Sequence, residues 1–163
     1  MYDKNQMHYV SATVILVKDG KFLIAKRASW EKAFPEKWTV PGGKLEVLDY
    51  VLKKKDTPHH WYNVFEELVK KEAMEEVGVG IKNIGYVTSM VYIRSDNVPT
   101  IIVSLFAEPL EGEIVLDKSL SEFVWVDIEE AKEYDLIDGI YDELLMLDKF
   151  LKTGERMVWK GND

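Results

Sequence analysis

The chain has 163 residues, of which 47% are hydrophobic and 31% charged, enough apolar material for one core and too much for disorder. Its net charge of −8 sets it against nucleic-acid duplexes and anionic membranes, though not against a small phosphorylated ligand held through a cation. The absence of cysteine excludes disulfides, thiolate zinc sites and a Cys nucleophile, and with no basic leader and no long apolar run the expectation is one cytoplasmic domain spanning 1–163.

Residues 8–17 and 21–25 are β-rich and flank Lys18-Asp19-Gly20, whose Asp-Gly pair predicts a hairpin. A short strand at Trp38–Val40 runs into Pro41-Gly42-Gly43, a turn that ends it. Residues 44–60 have no period and carry Lys53-Lys54-Lys55 and Pro58-His59-His60, and 50–60 are expected to form a mobile surface segment. From Trp61 the period becomes helical and lasts to Gly78, a natural C-cap. Two more β-rich runs, near 84–94 and 99–107, are joined by Ser95-Asp96-Asn97, and Phe123–Val126 is a further strand. Residues 128–152 read as helix with a break near Asp138-Gly139. Strands and helices mix without strict alternation, so the fold class is α/β with a mixed sheet covered by helices.

Function shows first on the helix after Trp61. Phe65, Val69, Ala73 and Val77 recur every fourth residue and form a core-facing row. The adjacent row begins with Val64 and Leu68 but ends in Glu72 and Glu76, with Glu75 beside them. Three carboxylates crowded at one helical end repel one another unless a cation sits among them, and oxygen-only donors suit Mg²⁺ or Mn²⁺ above zinc. The same residues also read as a solvated face, since Glu66–Lys70 and Glu67–Lys71 are well-oriented ion pairs along the helix. The glycine turn upstream favours the cation, because paired glycines let backbone approach a ligand closely and expose carbonyl oxygens.

These residues resemble the Nudix family, whose motif is G-x5-E-x7-R-E-U-x-E-E-x-G-U with U aliphatic. Lys71-Glu72-Ala73-Met74-Glu75-Glu76-Val77-Gly78-Val79 resembles its second half, with Lys in place of Arg, and Trp38 through Glu46 resembles the approach to its first half. The opening hairpin with Arg27 and the late Trp125 strand followed by a helix extend the likeness over most of the chain. The resemblance implies an α/β/α sandwich and a pyrophosphohydrolase of a nucleotide-like diphosphate, dependent on Mg²⁺ or Mn²⁺. It further implies that Glu72, Glu75, Glu76 and the Gly43 carbonyl bind metal, that the glutamates act in catalysis, and that Arg27, Trp38 and Lys44 lie near substrate. Trp38 also reads as core. Glu122, three residues before Trp125, is the candidate for a fourth carboxylate and reads equally as a surface glutamate.

Two departures stand out. Counted from Gly43 the motif's glutamate falls on Asp49, but counted back from Lys71 it falls on Asn63, because 14 extra residues separate the two halves. The extra length lies within about 50–62, and Asp49, the ionisable candidate, is expected to act as the accessory carboxylate. Lys71 keeps the arginine's charge without its planar fork. A (deoxy)nucleoside triphosphate is the first expectation for substrate, since the chain has little beyond the core fold to grip a larger ligand. The alternative is a Nudix-fold module that binds or senses a nucleotide without cleaving it. A homodimer is compatible with either.

Overall fold

The computed structural model describes residues 3–156, 158, 159 and 161. β1 (Tyr9–Lys18) and β2 (Lys21–Arg27) form the expected hairpin. Asp19 and Gly20 take positive φ, 52° and 75°, the turn whose twist matches the strands it joins. Along β1, Ala12, Val14 and Leu16 enter one buried layer and Ile15 enters another. Strand alternation thus sends apolar side chains to both faces, and both must be covered.

Two helices cover them. α1 (Val64–Val77) brings Leu68, Val69, Ala73 and Val77 into the layer of Ala12, Val14 and Leu16. α2 (Ile140–Thr153) brings Ile140, Leu144 and Leu147 into the layer of Ile15, Phe22 and Ile24. Between them β1 runs parallel to β6 (Pro99–Pro109), which pairs antiparallel with β5 (Ile81–Ile93). β2 is flanked by β3 (Trp38–Thr39) and β7 (Leu120–Val126), both antiparallel to it. The result is the helix–mixed sheet–helix sandwich expected. Among the described residues no helix is long and apolar enough to cross a membrane.

Several boundaries differ from expectation. Gly42 and Gly43, expected as turn, form with Lys44 a strand, β4 (Gly42–Lys44), whose residues pair with Ser11, Ala12 and Thr13 of β1. Trp61–Asn63 stand outside α1, because Asn63 takes a left-handed φ of 53° that cannot propagate a right-handed helix. β5 begins at Ile81 and β7 at Leu120, so both strands are longer than their apolar cores. The final helical stretch breaks before α2 at Gly139, φ 89°, as expected, but its first piece is only a 3-10 turn at Glu130–Glu133, and 134–139 are not helical.

Candidate functional site

Burial of Leu68, Val69, Ala73 and Val77 fixes the rotation of α1, and Gly78 ends it at φ 74°. With that rotation set, Glu72 and Glu76 face β4. The Gly42 N–H donates to Glu76 Oε2 at 2.9 Å. Gly43 lies so close to α1 that a Cβ there would overlap the Glu72 carboxylate. Glycine at this position therefore lets the Glu72 carboxylate lie against β4. Glu75, one residue before Glu76, is exposed.

The electrostatics follow from this crowding. Burial pushes the Glu76 carboxyl up to about 7; the Gly42 N–H opposes the rise, the Glu72 and Asp117 charges add to it, and Arg27 opposes it. Glu72 is also raised, chiefly by burial, with Lys71 opposing and the charges of Glu75 and Asp49 adding. Both carboxylates thus stand where added positive charge would be most favourable.

Asp49 and Lys71 meet across the 14 extra residues. Lys71 Nζ donates to Asp49 Oδ1 at 3.0 Å and lies 3.7 Å from Glu72 Oε1. The Lys71 ammonium is held above its ordinary pKa by its Asp49 hydrogen bond and the nearby Glu72 and Glu75. Burial works against the Asp49 charge, but the Glu46 N–H at 2.8 Å and Lys71 outweigh it and hold the carboxyl below its usual value. Lys71 is therefore bound to Asp49 rather than to Glu67, which pairs with Lys70 and Lys53 instead. Asn63 occupies the N-cap of α1 and offers its backbone carbonyl to the Glu67 N–H, with no side-chain cap hydrogen bond.

A cleft of about 180 Å³ is lined by Thr13, Arg27, Gly42, Gly43, Lys44 and Glu76 among others. Arg27 is anchored there by Ala33 O at 2.7 Å and Glu31 Oε2 at 3.1 Å. The Lys44 ammonium sits 5.3 Å from the Tyr9 ring centroid. Trp38 goes elsewhere. Its ring packs edge-on against Tyr134 at 4.8 Å within the α2-side layer, so in this structure it serves the core. Glu122 also lies apart from the helix carboxylates among the contacts described, pairing with Lys26 at 3.1 Å across β2 and β7.

Two residues at the site carry no sequence signal. The Asp117 N–H donates to the Glu76 carbonyl at 3.0 Å, and its charge bears on the Glu76 carboxyl. It lies in a loop without period or motif, so only the fold brings it here. Thr13 Oγ1 is buried without a hydrogen-bond partner on the strand beside Gly42, in a run that reads simply as β.

The donor chemistry fits a hard divalent cation, since two partly desolvated carboxylates flank a glycine backbone and, among the described residues, no lysine is bound to Glu76. The fit is to donor type, because among the described residues no three acidic or histidine side chains form a ready-made cage. Glu76 is engaged by Gly42, Glu72 by Lys71, and Glu75 faces solvent.

The NUDIX domain family model matches residues 7–145. No curated protein sequence matches the chain. Among solved structures, a MutT NUDIX hydrolase from Burkholderia pseudomallei is similar at TM-score 0.68 and 18% identity, over 86% of this chain and 98% of that one. A MutT protein from Methanosarcina mazei Go1 is similar at 0.68 and 19%, over 90% and 96%. The NUDIX domain of Shewanella oneidensis NrtR, solved with ADP ribose, is similar at 0.69 and 15%, over 92% and 94%. At these identities the likeness to solved structures is one of fold. The match over 7–145 shows more: this chain belongs to the NUDIX domain family, and the class expected from its motif, a Nudix-type pyrophosphohydrolase, stands.

Proposed function

We propose that the protein hydrolyses a phosphoanhydride bond of a nucleotide-like diphosphate with the aid of Mg²⁺ or Mn²⁺. The observation that carries this is the seating of Glu72 and Glu76 against Gly42 and Gly43, at the edge of a cleft that Arg27 and Lys44 also line. A divalent ion bound there supplies charge neutralisation for the phosphate oxygens. Glu72, Glu76 and the Gly43 carbonyl are the groups proposed to hold it, with Glu75 joining from solvent. Asp117 is a better-placed fourth carboxylate than Glu122, because its backbone is bonded to that of Glu76. Glu76, whose burial makes it more basic than an ordinary carboxylate, can in its ionised form also take a proton from an attacking water. Lys71 and Asp49 hold Glu72 in place, and Arg27 and Lys44 meet the anionic substrate.

One observation favours the second reading, a module that binds nucleotide without cleaving it: the three helix carboxylates do not converge. Calorimetric Mg²⁺ and Mn²⁺ titrations of the protein and of Glu75→Gln, beside turnover of both, separate the two readings. The hydrolytic reading expects Glu75→Gln to weaken cation binding and to slow turnover by about 10². If cations bind without any turnover of a nucleotide panel, the binding module is the correct reading.

A further inference from the structure

A separate cavity of about 370 Å³ lies between β5 and the start of α2. None of its lining residues belongs to α1, to β4 or to the cleft of Arg27 and Lys44. Asp138, Asp142 and Glu143 line it, and no lysine, arginine or histidine does. Among the described residues none of these three acids stands in a salt bridge. They differ in depth: Asp138 and Asp142 are exposed, whereas Glu143 is buried.

Glu143 is the informative one. Its Oε2 has no hydrogen-bond partner, and the Ser104 hydroxyl nearby is buried and unpartnered as well. A buried acceptor left unmade destabilises the fold, so packing alone gives no reason for a carboxylate here. The rest of the lining narrows what could meet it. A metal ion fits poorly, because among the described residues no three acidic or histidine side chains close on one point. An anion would face three carboxylates and no positive charge. A protonated amine brings both the charge and the N–H donors that Glu143 lacks. Met90, Met146 and Trp159 complete the wall with thioether and aromatic surface, which packs methylene groups and attracts an ammonium. With one acid at depth and two where the cavity opens, the arrangement suits a chain charged at both ends.

We propose that this cavity binds a short aliphatic diamine, with one ammonium on Glu143, the other at Asp138 and Asp142, and the methylenes along Met90, Met146 and Trp159. The assignment stands apart from the hydrolytic reading, since it uses no residue of that site.

The test is calorimetric titration of the full chain with 1,4-diaminobutane, 1-aminobutane and 1,4-butanediol, in excess Mg²⁺ so that amines do not gather at Glu72, Glu75 and Glu76. It is run at about pH 8, where the Glu143 carboxyl, pushed up to about 7 by burial, is mostly ionised and the amines stay protonated. The diamine is expected to bind at one site, the monoamine about three-fold more weakly, and the diol not at all. Glu143→Gln keeps the shape of the side chain without its charge and should weaken diamine binding about ten-fold or more. Asp142→Asn, on the exposed side, should weaken the diamine about three-fold and leave the monoamine unchanged. Amide and indole NMR shifts place the ligand: Thr88, Gly139 and the Trp159 N–H should move on adding diamine. Absence of diamine binding, equal binding of the diol, or parent-like binding by Glu143→Gln overturns the proposal. So do an Asp142→Asn protein unchanged toward both amines and shifts confined to residues outside the cavity.

Discussion

Gly43 sets the geometry of the site at the scale of one residue, since a Cβ there would meet the end of the Glu72 side chain. That carboxylate can swing away at little cost to the fold, but doing so leaves its place against β4. Gly43→Ala is expected to change unfolding free energy by less than about 1 kcal/mol and to slow turnover by about 10², as small misplacements of reacting groups do. Denaturant unfolding and steady-state rates on one preparation check it, and a variant that keeps its rate would show that Glu72 need not touch Gly43. Asp49 poses a second question. It is bonded to Lys71 and through it to Glu72, whereas Asn63 sits at the helix cap. We predict a rate loss of about ten-fold or more for Asp49→Asn and a small one for Asn63→Ala. Equal small effects would remove Asp49 from the account. The seating of Glu72 and Glu76 against the glycine strand was legible in the sequence because an apolar row that turns acidic declares a change of surroundings, whereas Glu75, read with them, faces solvent. Asp117 and Thr13 were not, since nothing local distinguishes a loop aspartate or a strand threonine that tertiary folding alone brings to the site.

At the scale of elements the inserted segment departs most from its expectation. Residues 44–67 contribute no buried side chain, which agrees with a surface position, yet the segment is organised around Trp61 rather than merely strung along the surface. Replacing 51–60 by a short linker should leave the fold standing, because closing a shorter loop changes the free energy little. We expect the thermal midpoint to move by no more than about 4 °C, read by circular dichroism. A shortened protein that fails to fold would show that the segment supports the core. The element types were largely readable from period and turn chemistry: Asp19-Gly20 specified its hairpin, and Gly139 broke the last helix. β4 was missed because Gly42 and Gly43 read as a turn, and their pairing with β1 depends on a strand far away in sequence. The helix start was misjudged because apolar Trp61 belongs to the loop's own cluster, and the left-handed Asn63 intervenes.

The whole molecule carries an electrostatic load away from the site. Glu143 of α2 is 4% exposed, and its Oε2 and the nearby Ser104 hydroxyl lie buried without hydrogen-bond partners. Burial pushes this carboxyl from 4.5 up to about 7, with Ser104 opposing in part and Asp142 adding. Below pH 4.5 the group is protonated in both folded and unfolded chains and costs nothing. As pH rises to about 7 the unfolded chain releases the proton first, so folding loses free energy across that window and stays penalised above it. Glu143→Gln should therefore gain stability over the parent as pH rises between those values, by up to about 3 kcal/mol. Parallel pH series of denaturant unfolding check this, and curves that stay the same distance apart would contradict it.

The central claim is that Glu72 and Glu76, seated against Gly42 and Gly43, form a cation-dependent hydrolytic centre. The most direct test is product release from a panel of nucleotide diphosphates and triphosphates at limiting Mg²⁺, for the protein and for Glu76→Gln. Turnover of at least one compound, abolished by chelation and reduced about 10² in the variant, is the predicted result. A Glu76→Gln protein that turns over at the parent rate, or a parent that binds the panel and cleaves none of it, would contradict the account.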